Sequence, residues 1–445
     1  MLPDYITKSV PNPASNRGPW YANTAPAYAG IFLWFVFYQG LAAGTIDRAP
    51  LGVCIAAIAV AGLLCYGLFY YVPAMLGMKT GYPLYVVGSS TFGTAGGYLM
   101  PGLLMGLLQI GWFAVGTYYS TKLILQAIGS TAEAGSMTFS IVAVLWGASM
   151  GLIGAAGIQY VAKVSQILNF IPLFMILAVF FQTSGGIAKY TPTQPADSFA
   201  AATTLIAAII VFFATAGAAG VDFGLNSRDE GDVKMGGLVG VGLSAVIAAG
   251  IPLLSVAGAK GLNPALTSFD YTEVIKSMGG AVATAMFILF TVASIVPACF
   301  CAFIAGNSFN TMIPSVPRIG STLAGVAVAV ALAITGAAAD LGKVFSVVGA
   351  SFGPIVGAMV ADYILSGKKW AGPREGVNLA GYGAWGVGFL VGCIPFDFMP
   401  LSPEIKRLAQ PAVVYSFITG FIVYMALAKA GLEPKTVPMT KTAAA

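Results

Sequence analysis

Residues 37–47 read Phe-Tyr-Gln-Gly-Leu-Ala-Ala-Gly-Thr-Ile-Asp, and residues 213–223 read Phe-Ala-Thr-Ala-Gly-Ala-Ala-Gly-Val-Asp-Phe. Each holds a short glycine-rich run, Gly40 to Gly44 and Gly217 to Gly220, inside a long apolar stretch, and the two starts lie 177 residues apart. In hydrocarbon an unpaired backbone group costs several kcal/mol and persists only beside protein or water. Glycine eases the departure from helical geometry. The freed N–H and C=O groups can then bind a solute or ion, as in transporters built from two inverted repeats. The other reading of such glycines is close helix packing, the role expected of Gly102 and Gly106. A pair at matching places in two halves of the chain favours broken helices.

The surrounding composition is that of a membrane protein. Of 445 residues, 58% are hydrophobic and 8% charged, and the mean hydropathy is +0.86. Soluble domains carry about 25% charged residues. Apolar runs long enough to span a bilayer recur near 27–47, 52–77, 98–126, 137–156, 159–184, 200–224, 235–260, 279–312, 319–339, 341–366, 378–396 and 408–430. They lack period-2 alternation, so the expected fold is all-α with twelve transmembrane helices, of which the first and sixth are discontinuous. A second pair fits the same period: Lys163-Val164-Ser165 opens span 5, Lys343-Val344-Phe345-Ser346 opens span 10, and the lysines are 180 residues apart. An odd number of spans per period makes the repeats inverted.

This gives an expected organisation: a cytoplasmic tail at 1–26, repeat 1 at 27–184, an external loop at 185–199, repeat 2 at 200–366, and spans 11 and 12 with a cytoplasmic tail at 367–445. Residues 1–26 contain several prolines and no apolar core of a signal peptide, and read as a short solvated segment. Counting Lys and Arg by side places thirteen of the 21 with the two termini, which puts both in the cytoplasm and the chain in the inner (plasma) membrane. The net charge of +5 follows from that bias, and no basic cluster suggests a nucleic-acid polymer as partner. Membrane lipid is the expected surrounding, and the oligomeric state is not written in the sequence. The five cysteines fall in or near apolar spans and suit burial rather than a disulfide framework. With no histidine and no central carboxylate pair, a membrane-embedded enzyme is disfavoured and no cofactor is expected.

Charge is nearly absent from span centres; Asp222 and Asp362 lie at the ends of spans 6 and 10. Such a site suits a neutral, flat solute. Trp112, mid-span between Gly111 and Gly116, either stacks on a heteroaromatic ring or packs in the core. Phe213 and Thr215 precede the second glycine run, and Tyr38 and Gln39 precede the first. The Gln39 amide both donates and accepts, matching the edge of a nucleobase-like ring or a neighbouring helix.

These stretches resemble the nucleobase–cation symporters, the family of cytosine, purine, uracil, hydantoin, allantoin and thiamine-precursor permeases. The resemblance is carried by KTGYPLYVVGSSTFG (79–93), QIGWFAVG (109–116), TAGAAGVDF (215–223) and SFGPIVGAMVADYIL (351–365), more weakly by VNLAGYGAW (377–385), and runs through roughly 30–390. The Gly-Trp-Phe-x-Val-Gly pattern is most similar to bacterial cytosine permeases; hydantoin-type relatives carry glutamine at the position of Gly116. The resemblance implies the twelve-helix, five-plus-five inverted repeat and alternating access. It implies that Trp112 and Phe213 sandwich the ring, that Thr215 bonds its edge, and that Gln39 and the span 1 break complete the pocket. A sodium site would draw on Val36 and Ser294. Span 8, however, reads Ala293-Ser294-Ile295-Val296-Pro297-Ala298-Cys299-Phe300-Cys301, with Ser294 the one oxygen-bearing side chain, so H+ coupling gains weight against Na+. The leading expectation is import of a nucleobase or related small heterocycle; the alternative is an amino-acid or amine transporter of the same fold.

Overall fold

A computed structural model describes residues 2–156, 168–313 and 315–439, without the side chains of Leu99 and 341–345. Lys163-Val164-Ser165 lies outside these residues. Nine long apolar helices are present among them: Leu51–Thr80, Gly96–Ala127, Met137–Ala156, Phe170–Lys189, Ser198–Ala218, Glu230–Leu262, Gly280–Met312, Ser346–Leu365 and Ala412–Lys429. Arg318–Ile334 and Leu379–Gly392 are shorter. Thr24–Phe32 and Phe35–Tyr38 form the two halves of a broken first helix. Together these are the twelve spans, numbered below in chain order.

The apolar runs become helices because a helix satisfies its own backbone groups where water is absent. Departures from regular helix are placed repetitively. Span 2 holds a π segment at Cys65–Tyr70 and span 7 another at Leu238–Leu243, in the second helix of each repeat. Such segments often mark functional sites. Span 8 is interrupted at Ser294, between Gly280–Ala293 and Ile295–Met312. Pro297, in the first turn of the second piece, has no N–H to contribute to continuation.

Two bodies face each other. Spans 3, 4, 8 and 9 pack mutually, and spans 1, 2, 6 and 7 form a second group. Spans 10, 11 and 12 pack together beside them.

On the side where the N-terminal residues lie, a buried polar cluster ties the 79–93 stretch to the end of span 10. Ser90 Oγ and Thr91 Oγ1 donate to Asp362 Oδ2 at 2.5 and 3.1 Å, and Arg374 pairs with Asp362 at 2.8 Å and with Glu433 at 3.0 Å. Arg374 also donates to the Ser90 carbonyl, and Asn378 Nδ2 donates to the Thr91 carbonyl at 2.9 Å. Asp362 and Arg374 are 3% and 5% exposed, so neither charge has water to fall back on. Removing one partner of such a pair costs about 3–5 kcal/mol. Arg374→Gln is therefore expected to lower the thermal midpoint of the purified protein strongly, with partial recovery on adding Asp362→Asn.

The N-terminal segment is not the solvated tail its composition suggests. Ile6 is fully buried, and Tyr5 packs on Tyr98 at 4.6 Å between ring centroids. A short helix, Asp4–Thr7, carries both residues.

Candidate solute site between spans 1, 3, 6 and 8

A cavity of about 190 Å³ lies between the two bodies. Sites for drug-sized ligands run to roughly 300–1,000 Å³, so this one suits a small solute. Span 1 contributes Ala27, Gly30, Ile31 and Trp34; span 3 contributes Gln109 and Trp112; and Asn169 precedes the Phe170 turn of span 5. Span 6 adds Phe212, Thr215, Ala216, Ala219 and Phe223, and span 8 adds Val296, Pro297, Phe300, Cys301 and Ile304. Among the described residues no Asp, Glu, Lys or Arg lines it. None of those lining side chains offers a counter-charge to a charged solute.

One wall is aromatic. Trp34 and Trp112 meet at 6.1 Å between ring centroids, and Trp112 meets Phe212 edge-on at 4.9 Å. Pro297, Phe300 and Cys301 also line it. Few polar atoms are on offer. The Gln109 amide nitrogen reaches only the Met105 sulfur, at 3.7 Å, and thioether sulfur is a weak acceptor. Thr215 lines span 6, and Asn169 Nδ2 donates to the Pro26 carbonyl at 3.2 Å.

The cavity extends toward the side of the N-terminal segment, through Ala27 at the start of span 1 and Phe223 at the end of span 6. The other side is shut. Tyr38 packs on Tyr271 at 5.3 Å, and Phe35 on Phe290 at 5.0 Å. Gln39 accepts the Thr272 N–H at 3.0 Å and donates to the Thr272 hydroxyl, while the Tyr271 N–H donates to the Gln39 carbonyl at 3.0 Å.

The helix breaks need correction in span 1. The interruption falls at Leu33 and Trp34, not at Gly40 and Gly44; Trp34 is extended, with φ −66° and ψ 129°. Gly40 and Gly44 sit in the run of turns that follows Tyr38, where Gly44 takes φ +72°. The glycine that permits the break is on span 3. A Cβ on Gly116 would stand 2.5 Å from Trp34 Cζ2, so its absence makes the space into which Trp34 swings. In span 6 the interruption is at Ala219, between Ser198–Ala218 and Gly220–Gly224. Gly217 lies inside the first piece, where a Cβ would be 2.9 Å from the Phe69 side chain, so it serves packing against span 2. Gly220 opens the second piece.

Both breaks free carbonyls, and tyrosines of span 1 reach them. Tyr28 donates to the Ala216 carbonyl at 3.0 Å and Tyr38 to the Leu33 carbonyl at 3.4 Å. Tyr28→Phe is expected to cost about 1–3 kcal/mol by leaving a buried acceptor unpaired, measurable as a lower unfolding midpoint in detergent.

Trp112 and Thr215 line the cavity, whereas Phe213, Tyr38 and Gln39 do not. Phe213 stacks on Phe32 at 5.5 Å and 11°, and Phe212 takes the cavity face instead. Tyr38 and Gln39 belong to the closed side. Val36 is buried, and the Ser294 hydroxyl donates to the Phe290 carbonyl at 2.9 Å. Among the described residues no group of three or more His, Cys, Asp or Glu could hold a metal ion. Sequence reasoning missed Trp34, Phe212, Gln109 and Phe300 as lining residues. Gln109 was within reach, because three residues before Trp112 puts it on the same helix face.

Residues 11–371 match the family described as permeases for cytosine/purines, uracil, thiamine and allantoin. No curated protein matches the chain. Among solved structures, Mhp1, a nucleobase-cation-symport-1 family transporter in a closed conformation with bromovinylhydantoin bound, aligns at TM-score 0.71 and 16% identity over 98% of both chains. A Na+-coupled sialic acid symporter aligns at TM-score 0.60 and 15% identity, covering 98% of this chain and 93% of its own. MhsT in complex with L-phenylalanine aligns at TM-score 0.56 and 14% identity, over 93% and 99%. These identities carry the fold, a five-plus-five inverted repeat with two added helices, whatever the solute. The chain belongs to the cytosine/purine, uracil, thiamine and allantoin permease family of multi-pass membrane transport proteins.

Proposed function

We propose that this protein is a cation-coupled symporter that imports a neutral, flat heterocycle of nucleobase type by alternating access, with both termini in the cytoplasm of the inner membrane. The repeats are assigned to 27–184 and 200–366, with 185–199 external and 367–445 carrying spans 11 and 12. The observation that carries the reading is the cavity between the two bodies, lined by Trp112, Phe212 and Phe300 and by no charged side chain among the described residues. A π-faced wall favours a ring. Gln109 and Thr215 then offer a donor–acceptor amide and a hydroxyl to its polar edge. With the Tyr38–Tyr271 side closed and the cavity reaching the N-terminal side, the conformation is inward-facing.

Proton coupling is favoured over sodium. Over 293–301, where the resemblance expects cation ligands, Ser294 is the one oxygen-bearing side chain, fewer than a hard cation usually draws from that stretch. Counterflow in proteoliposomes with a panel of bases, repeated with and without Na+ and with a pH gradient, tests this. Uptake of one or more bases accelerated by an inward proton gradient is the expected result. Uptake competed by amino acids or amines and indifferent to bases would overturn it.

A further inference from the structure

Span 1 meets the cavity with four residues, Ala27, Gly30, Ile31 and Trp34, and the indole nitrogen is the one side-chain polar atom they carry. That nitrogen is not on offer to a solute. Trp34 Nε1 is buried and has no hydrogen-bond partner among the described residues. What Trp34 turns to the cavity is therefore ring carbon. Spans 3 and 6 differ, because Gln109 and Thr215 bring polar side-chain atoms to the lining.

Shape alone seats the indole. No hydrogen bond fixes the ring, and its edge fills the space beside Gly116, where a Cβ would stand 2.5 Å from Trp34 Cζ2. A buried donor without a partner costs free energy. Phenylalanine or leucine would fill much of the same space without that cost, so packing by itself does not account for a tryptophan here. Trp34 is only 6% exposed and borders the cavity, so trimming its side chain would add the vacated space to the cavity.

We propose that Trp34 sets the size limit of the solute: a ring fits with a bare C–H edge against the indole, and a substituent on that edge excludes it. This rests on the cavity being the site of a flat heterocycle, as read above. It narrows the class to rings whose polar groups leave one edge unsubstituted, the pattern of a pyrimidine base with hydrogen at C5 and C6. One surplus methylene in a fitted apolar pocket is worth roughly 10–200-fold in discrimination. A cavity of about 190 Å³ leaves little slack to absorb it.

Two measurements on the purified protein test this, and the first needs no knowledge of the solute. Cys301 lines the cavity, whereas Cys54, Cys65, Cys299 and Cys393 are buried and do not line it. Methyl and benzyl methanethiosulfonate carry one reactive group on different bulk, and Cys301→Ser in each background reports labelling elsewhere. The unmodified protein is expected to react at least about tenfold faster with the methyl reagent, and Trp34→Ala to cut that ratio several-fold. The second measurement compares equilibrium binding of uracil with 5-bromouracil, and of cytosine with 5-bromocytosine. The unmodified protein is expected to favour the unsubstituted member of a bound pair at least about tenfold, and Trp34→Ala to erase or reverse the preference. Trp34→Leu takes the place of Trp34→Ala if the alanine variant does not elute as a single species on gel filtration. An unchanged labelling ratio in a folded variant would overturn the proposal. So would a variant that keeps the original preference, or that loses both members of a pair equally. If neither protein binds a base while the labelling ratio falls as expected, the nucleobase reading fails and the size limit stands.

Discussion

Trp112→Ala is expected to abolish measurable uptake and weaken solute binding by between about fivefold and about 150-fold, the equivalent of the roughly 1–3 kcal/mol carried by stacking a base on an aromatic ring. Trp112 is the residue through which the aromatic wall is continuous, touching Trp34 at 6.1 Å and Phe212 at 4.9 Å. Its loss removes the π face and lets both neighbours turn into the space. Trp112→Phe keeps a ring and should retain partial transport with a raised KM. Radiolabelled uptake and equilibrium binding on the same preparations separate the two effects, because a folding defect lowers the number of sites rather than their affinity.

Gly116→Val is expected to be as severe, by steric means alone. Even the Cβ of alanine would come to 2.5 Å from Trp34 Cζ2, and real contacts do not approach so closely. The ring must leave its slot, and the helix break at Leu33 and Trp34 is built around that slot. Overpacking of this kind costs about 1–3 kcal/mol, and here the displaced group is a wall of the cavity. Uptake is expected to fall more than tenfold. Adding Trp34→Leu, which vacates the slot, should restore folding stability in full and transport in part. Recovery of neither would show that Gly116 acts through something other than Trp34.

The comparison of sequence with structure divides along physical lines. The twelve spans were legible because bilayer thickness sets a length and hydrocarbon sets a composition, and both are written residue by residue. The location of the break in span 6 was within reach for a similar reason, since the chain leaves the helix at Ala219, inside the glycine run. In span 1 the glycines were on view but the cause was not. The space that permits the break belongs to Gly116, on another helix, and no local pattern in span 1 reports it. Phe213 and Phe212 illustrate a finer limit. One position along a helix turns a side chain by about 100°, so two adjacent phenylalanines cannot be told apart until the packing of Phe32 takes one of them. Gln39 was chosen for its chemistry, and that chemistry is used, on Thr272 on the closed side rather than in the cavity. The docked N-terminal segment was illegible because its contacts are single side chains meeting loop carbonyls, which leave no periodic trace.

The central claim is that the aromatic-walled cavity between spans 1, 3, 6 and 8 is where the solute binds. A structure determined with the base that gives the strongest counterflow tests it most directly. The account predicts ring density lying against Trp112 and Phe212, with its polar edge toward Gln109 and Thr215. Density for the base on the far side of the Tyr38–Tyr271 barrier, with this cavity empty, would contradict it.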